Sequence, residues 1–282
     1  MAIVRVDVLV TEGQRPVDGL GKDDFIVYDE GVPQNVVHFG GEAEPIWLAL
    51  LLDVSGSMTA ILHEIAAVAG KALDLLGPQD QVAVMAFGRE SHLIQEFTPS
   101  RTLAAEAIRR CLRPGTLAAG SSTHAAVMEA ARYVGDKASG KPGRRVVVIL
   151  TDNEGLNYQA SAGQAIEALG AAGTVLSAIV TSRAMPPPPP KPGAPLNPDF
   201  TPSDVFLLAR ESGGEVLRAD RAAERFREML ERARMRYALH YALPPAEPGS
   251  TRRIGVELSP AARRRHPRVE IRARKAYRVP AE

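Results

Sequence analysis

Two segments of this 282-residue chain are apolar at every consecutive position: Ile46-Trp47-Leu48-Ala49-Leu50-Leu51-Leu52 and Val146-Val147-Val148-Ile149-Leu150. A strand turns successive side chains to opposite faces, so both faces of such a run must be covered, as happens in a helix-flanked parallel sheet. The middle of the chain has the matching rhythm. Strands are expected at 46–53, 81–87, 92–97, 144–151, 174–181 and 215–218, with helices at 59–76, 101–112, 123–137, 159–172, 202–212 and 221–233. In the first helix Ile61, Ile65, Val68, Ala69, Ala72, Leu73 and Leu76 recur three and four apart, before Gly77-Pro78 stops it. The fold class read from this alternation is α/β, a doubly wound, mostly parallel, Rossmann-like sheet over residues 46–234.

The two ends have a different period. "IVRVDVLV" (3–10) alternates in steps of two, and further strands are expected at 25–28 and 34–39 around a "DEG" turn at 29–31. The alternation returns at 235–243, 251–258 and 268–277. Neither 1–45 nor 235–282 is long enough to bury a core alone, so the two are expected to pair into one small β-sandwich. Charge agrees with that pairing. Residues 1–45 hold three Lys/Arg against nine Asp/Glu and residues 251–282 hold ten against three, while the whole chain carries only +1.

A proline-rich loop at 183–202 interrupts the α/β segment, and Pro186 to Pro190 favour an extended rod of roughly 15 Å at about 3.1 Å per residue. No apolar run approaches the roughly 18 residues needed to span a bilayer, and the amino terminus alternates instead of forming a signal-peptide core. Hydrophobic residues at 45% with charged residues at 24% exclude a disordered chain. The single Cys111 excludes an internal disulfide and, beside Ile108 and Leu112, reads as a core residue. The arginine-rich stretch at 262–268 has no stacking aromatics, so no nucleic-acid partner is expected.

The chemistry concentrates where the first buried strand ends, in "LLDVSGSMTA" (51–60). Three readings compete there. A phosphoryl-transfer nucleophile wants a second Asp two residues after Asp53, where Ser55 stands. A serine-hydrolase elbow wants a second glycine after Ser57 and a His partner, and neither is found. A hard metal ion wants only oxygen donors, and these recur at the corresponding ends of other elements: Asp152 after the strand "RRVVVILT" and Thr123 in "AGSSTHAAV". Asp53, Ser55, Ser57, Thr123 and Asp152, without Cys or clustered His, select Mg²⁺, Mn²⁺ or Ca²⁺ over zinc. His124 reads as a helix-start residue.

In these three segments, "DVSGS", "SSTHA" and "LTDNEG", the chain resembles the von Willebrand factor A domain (VWA) with its metal-ion-dependent adhesion site, over roughly residues 46–235. The flanks resemble those of A-domain-related proteins abundant in acidobacteria. The resemblance implies that the hydroxyls of Ser55, Ser57 and Thr123 contact the ion while Asp53 and Asp152 bind it directly or through water. It implies a non-enzymatic function: cation-dependent binding of an Asp or Glu from a partner protein, in adhesion or complex assembly at the cell envelope. A scaffold role through the β-sandwich with a vestigial metal site is the first alternative, and a metal-dependent hydrolase the second.

Overall fold

The computed structural model describes residues 2–41, 43–113, 120–189 and 201–280. The first segment contributes β1 (Ile3–Glu12), β2 (Arg15–Pro16), β3 (Phe25–Asp29), β4 (Val32–Gln34) and β5 (Val36–Gly40). The middle contributes β6 (Ile46–Asp53), α1 (Thr59–Leu73), β7 (Gln81–Phe87), β8 (Ser91–Thr98), α2 (Arg101–Arg110), α3 (Thr123–Lys137), β9 (Arg144–Thr151) and β10 (Leu156–Asn157). It continues with α4 (Ala162–Ala172), β11 (Thr174–Val180), β12 (Thr201–Pro202), α5 (Val205–Ser212), β13 (Val216–Arg218) and α6 (Ala222–Arg234). The last segment adds β14 (Tyr237–Ala242), β15 (Thr251–Leu258), α7 (Pro260–Arg265), β16 (Val269–Arg272) and β17 (Ala276–Arg278).

The central sheet has the order β13-β11-β9-β6-β7-β8 and is parallel except for β8, which runs antiparallel to β7. The apolar runs are covered on both faces. Leu48, Leu50 and Leu52 of β6, with Val146, Val148 and Leu150 of β9, pack against Ile65, Ile108 and Phe226 of α1, α2 and α6. Their neighbours Ala49, Leu51, Val147 and Ile149 pack against Val127, Leu169 and Leu208 of α3, α4 and α5. Each fully buried Leu or Ile contributes about 2 kcal/mol to this core. From β6 the chain winds toward one edge, and from β9 toward the other. The crevice between their carboxyl ends is therefore the topological switch point, where such sheets bind ligands.

The chain ends interleave in two further sheets, β16-β1-β14-β5 with β2 beside β1, and β17-β15-β3-β4, with every pairing antiparallel. Side chains of both sheets, among them Val6, Val8, Val27, Leu239, Tyr241 and Ile254, form one hydrophobic cluster. Ion pairs Arg252–Asp29, Arg253–Glu30 and Arg265–Asp24 join the basic end to the acidic one. Asp29 is fully buried and accepts hydrogen bonds from the phenols of Tyr241 (2.8 Å) and Tyr277 (2.7 Å) and from Arg252 Nε (2.6 Å).

Some expected elements take a different form. The strand expected at 268–277 is two strands, β16 and β17, that belong to different sheets, and β4 and β5 divide the 34–39 region in the same way. Alternation continues through a corner, so the period alone does not reveal a change of partner. Arg263, Arg264 and Arg265 of the 262–268 stretch lie on α7, which Ser259 caps by accepting from Ala262 N. Helices α4 and α5 begin three residues later than expected, because Ser161 and Asp204 cap them by accepting from Gln164 N and Leu207 N. Pro186 to Pro189 have no regular secondary structure, and Pro190 with residues 191–200 lies outside the described residues. Cys111 is buried in the core.

Candidate functional site

Strands β6 and β9 pair in parallel with Leu52 opposite Leu150, so Asp53 and Asp152 emerge side by side at the switch point. Asp53 is fully buried. Its Oδ1 accepts from Ser55 N (3.0 Å) and Ser121 Oγ (2.9 Å), and its Oδ2 accepts from Thr151 Oγ1 (2.8 Å). The chain then makes a single 3-10 turn over Gly56–Met58, in which Met58 is buried and Ser57 is exposed. Ser57 Oγ donates to Asp152 Oδ2, and the hydroxyls of Ser55 and Ser57 are within hydrogen-bond distance at 3.1 Å. Asp152 Oδ1 accepts from Glu154 N (2.9 Å).

Thr123 opens α3 and is fully buried; its Oγ1 accepts from Ser203 Oγ (2.9 Å). Ser203 in turn is fixed by its own N–H, which donates to Gly155 O (2.9 Å). A methyl group at Gly155 would overlap the carbonyl of Ser121 and the hydroxyl of Ser203, so only glycine lets these three loops meet. Four of the five sequence-predicted residues, Asp53, Ser55, Ser57 and Asp152, thus share one hydrogen-bonded network. Thr123 adjoins it through Ser121, two residues away, and its own hydroxyl is held by Ser203.

Sequence reasoning missed Ser121, Thr151 and Ser203. The first two lie inside the motif segments "AGSSTHAAV" and "LTDNEG", where a hydroxyl next to a ligand position was the available signal. Ser203 had none, since it is 80 residues from Thr123 and comes just after the proline-rich stretch. Asn153 ties that stretch to the site. It sits at φ 64°, donates from Nδ2 to Met185 O (2.9 Å) and accepts from Val205 N (3.0 Å). His124 is fully buried, with Nε2 accepting from Asp204 N (3.4 Å) and Nδ1 facing Ala160 O (3.3 Å), an arrangement that needs the neutral imidazole protonated on Nδ1. Burial accordingly lowers its pKa.

The electrostatics set this site apart. Of the buried acids, Asp7, Asp29, Asp80 and Glu215 are each paired with an arginine, respectively Arg5, Arg252, Arg234 and Arg232. Asp53 and Asp152 have no basic partner among the described residues; hydroxyl and amide donors alone reach them. Burial pushes the Asp53 carboxyl above its ordinary value, against the opposing hydrogen bonds from Ser55, Thr151 and Ser121. Two uncompensated carboxylates, three neutral hydroxyl oxygens and no sulfur or free imidazole suit a hard divalent cation. Among the described residues no group of three or more His, Cys, Asp or Glu gathers to hold a metal, so a cation here would depend on the hydroxyls.

The missing counter-charge has a measurable consequence. With divalent cations chelated, Asp53→Asn should melt at or above the wild-type temperature, because it removes a buried charge and keeps the shape. A loss of more than about 1 kcal/mol in that measurement would mean that Asp53 is a structural anchor.

Residues 48–155 match the family model of the von Willebrand factor type A domain. No curated protein matches the chain. Among solved structures, an aerotolerance-related membrane protein from Bacteroides fragilis, carrying multiple mutations to serine, aligns with TM-score 0.50 and 18% identity over 67% of this chain and 98% of that one. BatB from Bacteroides thetaiotaomicron aligns with TM-score 0.51 and 19% identity over 66% and 96%. Proximal thread matrix protein 1 from the mussel byssus aligns with TM-score 0.52 and 13% identity, over 83% of this chain and 50% of its own length. At these identities the likeness is one of fold. The α/β core therefore matches a von Willebrand factor type A domain over residues 48–155, a span that takes in Asp53, Ser55, Ser57, Thr123 and Asp152.

Proposed function

We propose that this site is a metal-ion-dependent adhesion site, which holds Mg²⁺, or Mn²⁺ or Ca²⁺ in its place, and presents it to a carboxylate of a partner protein. The observation that carries the reading is the contrast among buried acids: among the described residues, four are neutralised by arginine, and the two at the switch point are left without a counter-charge. A bound divalent cation supplies the missing positive charge and a coordination position for one further anionic oxygen.

The chain's own residues divide the work. Asp53 and Asp152 neutralise the ion. Ser55, Ser57 and Thr123 add neutral oxygens, and Ser57, by donating its hydrogen bond to Asp152, keeps a lone pair for ligation. Five side chains leave octahedral Mg²⁺ one ligand short, and the exposure of Ser57 opens the site to solvent on its side. Binding rather than catalysis is supported by His124, whose two ring nitrogens are occupied by backbone groups and offer no general base. Cell-envelope placement belongs to the same proposal, through the fold likeness to a Bacteroides fragilis protein described as a membrane protein. Among the described residues no helix is long and apolar enough to cross a bilayer.

Manganese makes the site visible. Electron paramagnetic resonance of a Mn²⁺ titration should report one site, weakened at least tenfold by Asp152→Asn. Acetate, as the simplest carboxylate, should then lower the water-proton relaxation of bound Mn²⁺ by displacing a water. Binding of Mn²⁺ with no response to acetate would refute the open position, and no bound Mn²⁺ would refute the metal site itself.

A further inference from the structure

We propose a second ligand site, at the opposite end of the central strands: a cleft between the α/β layer and the end sheets that binds a small polyanion carrying at least two phosphate or carboxylate charges. The cleft has a volume of about 500 Å³, within the usual range for small-molecule sites. It lies at the start of β9, whereas Asp152 comes just after its end, so the two sites are roughly 23 Å apart at about 3.3 Å per residue.

Positive charge exceeds negative charge in this cleft. Arg5 is neutralised by Asp7 (2.8 Å) and Glu44 (2.7 Å), and Arg278 is paired with Glu167. Lys141, Arg145 and Arg274 also line the cleft, and none of them pairs with a carboxylate among the described residues. Lys141 Nζ lies 4.7 Å from the Trp47 ring centroid. Arg145 donates to the carbonyls of Ala172 (2.8 Å) and Ala138 (3.0 Å), and Arg274 donates to that of Arg5 (2.5 Å). Carbonyls satisfy donors but bring no negative charge. Glu44, the one carboxylate among the described lining residues, is already shared between Arg5 and Arg144.

Unpartnered polar atoms point the same way. Among the described residues, Arg274 Nε is a buried donor without a hydrogen-bond partner. His240 Nδ1, which donates when the imidazole carries its proton there, is likewise buried and unpartnered, its ring 5.0 Å from that of His38 on the cleft wall. Burial also lowers the pKa of both Arg145 and Arg274, as happens where desolvation outweighs nearby negative charge. The three uncompensated cations come from the turn before β9, from β9 itself and from the β16–β17 link. A polyanion would therefore bridge the α/β layer and the end sheets, and would stabilise the fold by mass action.

The test is calorimetry on the full chain in metal-free buffer at about 50 mM salt, with pyrophosphate and citrate as separate probes. Saturable, submillimolar binding of either is expected, and the tighter of the two identifies the source as phosphate or carboxylate. Lys141→Glu, an exposed position that leaves the core intact, should weaken binding at least tenfold, and Asp53→Ala should leave it unchanged. The proposal is overturned if neither probe binds, or if Lys141→Glu and Arg274→Gln both bind as the wild type does. It is also overturned if a triglutamate peptide binds while both small anions do not, which would assign the cleft to a protein partner.

Discussion

Gly214→Ala is expected to destabilise the protein by about 4 kcal/mol or more, the range reached only when core or backbone is forced apart. Gly213 caps the carboxyl end of helix α5 at φ +83°, and Gly214 N donates back to Ala209 O (2.7 Å) before the chain enters β13. A methyl group on Gly214 would overlap the carbonyl of Leu176 in β11. That carbonyl has nowhere to go, because β11 is hydrogen-bonded to β9 on one side and β13 on the other. The adjacent Gly213 lies against the backbone of Ala273 and Arg274 from the end sheets, and its carbonyl accepts from the buried Arg236 (2.9 Å). Displacement at this pair therefore disturbs the central sheet and its junction together. Thermal denaturation should show a fall of roughly 10 °C or more. A variant melting within about 2 °C of the wild type would show that the junction yields.

Asp29→Ala is the second large effect, with an expected loss of about 3–5 kcal/mol. Three donors converge on this fully buried carboxylate, the phenols of Tyr241 and Tyr277 and the guanidinium of Arg252. Burial, with the bond to Asp29, raises both phenols, Tyr277 to about 12, so each remains a donor throughout the working pH range. Without Asp29 two buried hydroxyls and a cation lose their acceptor at once. Asp29→Asn keeps an acceptor oxygen and should lose less, which urea denaturation of the two variants will resolve. Equal stability of wild type and Asp29→Ala would disprove the anchoring role. The contrast with Asp53→Asn is informative, since one buried acid is built into the fold and the other is held against its preference.

Much of this fold is legible in the sequence because the constraint is severe. Runs such as 46–52 and 146–150 admit only a sheet covered on both faces, and Asp53 and Asp152 stand one and two residues beyond the ends of those runs. The opposite charges of the two ends likewise announce the pairs Arg252–Asp29 and Arg265–Asp24. The illegible part depends on contacts far apart in sequence. Nothing local to Ser203 says that it holds Thr123, and nothing local to 268–277 says that the strand divides between two sheets at 273–275. The arginine pairing of the other buried acids, against which Asp53 and Asp152 stand out, is also a property of the folded chain alone.

The most direct measurement is a calorimetric titration of Mg²⁺ and Mn²⁺ into the wild type and into a double variant, Asp53→Ala with Asp152→Ala, with circular dichroism to confirm that both are folded. Saturable binding of one ion per chain to the wild type, lost in the folded double variant, is the predicted result. A wild type that takes up neither ion, or a double variant that binds as the wild type does, would contradict the assignment of a cation site at the switch point.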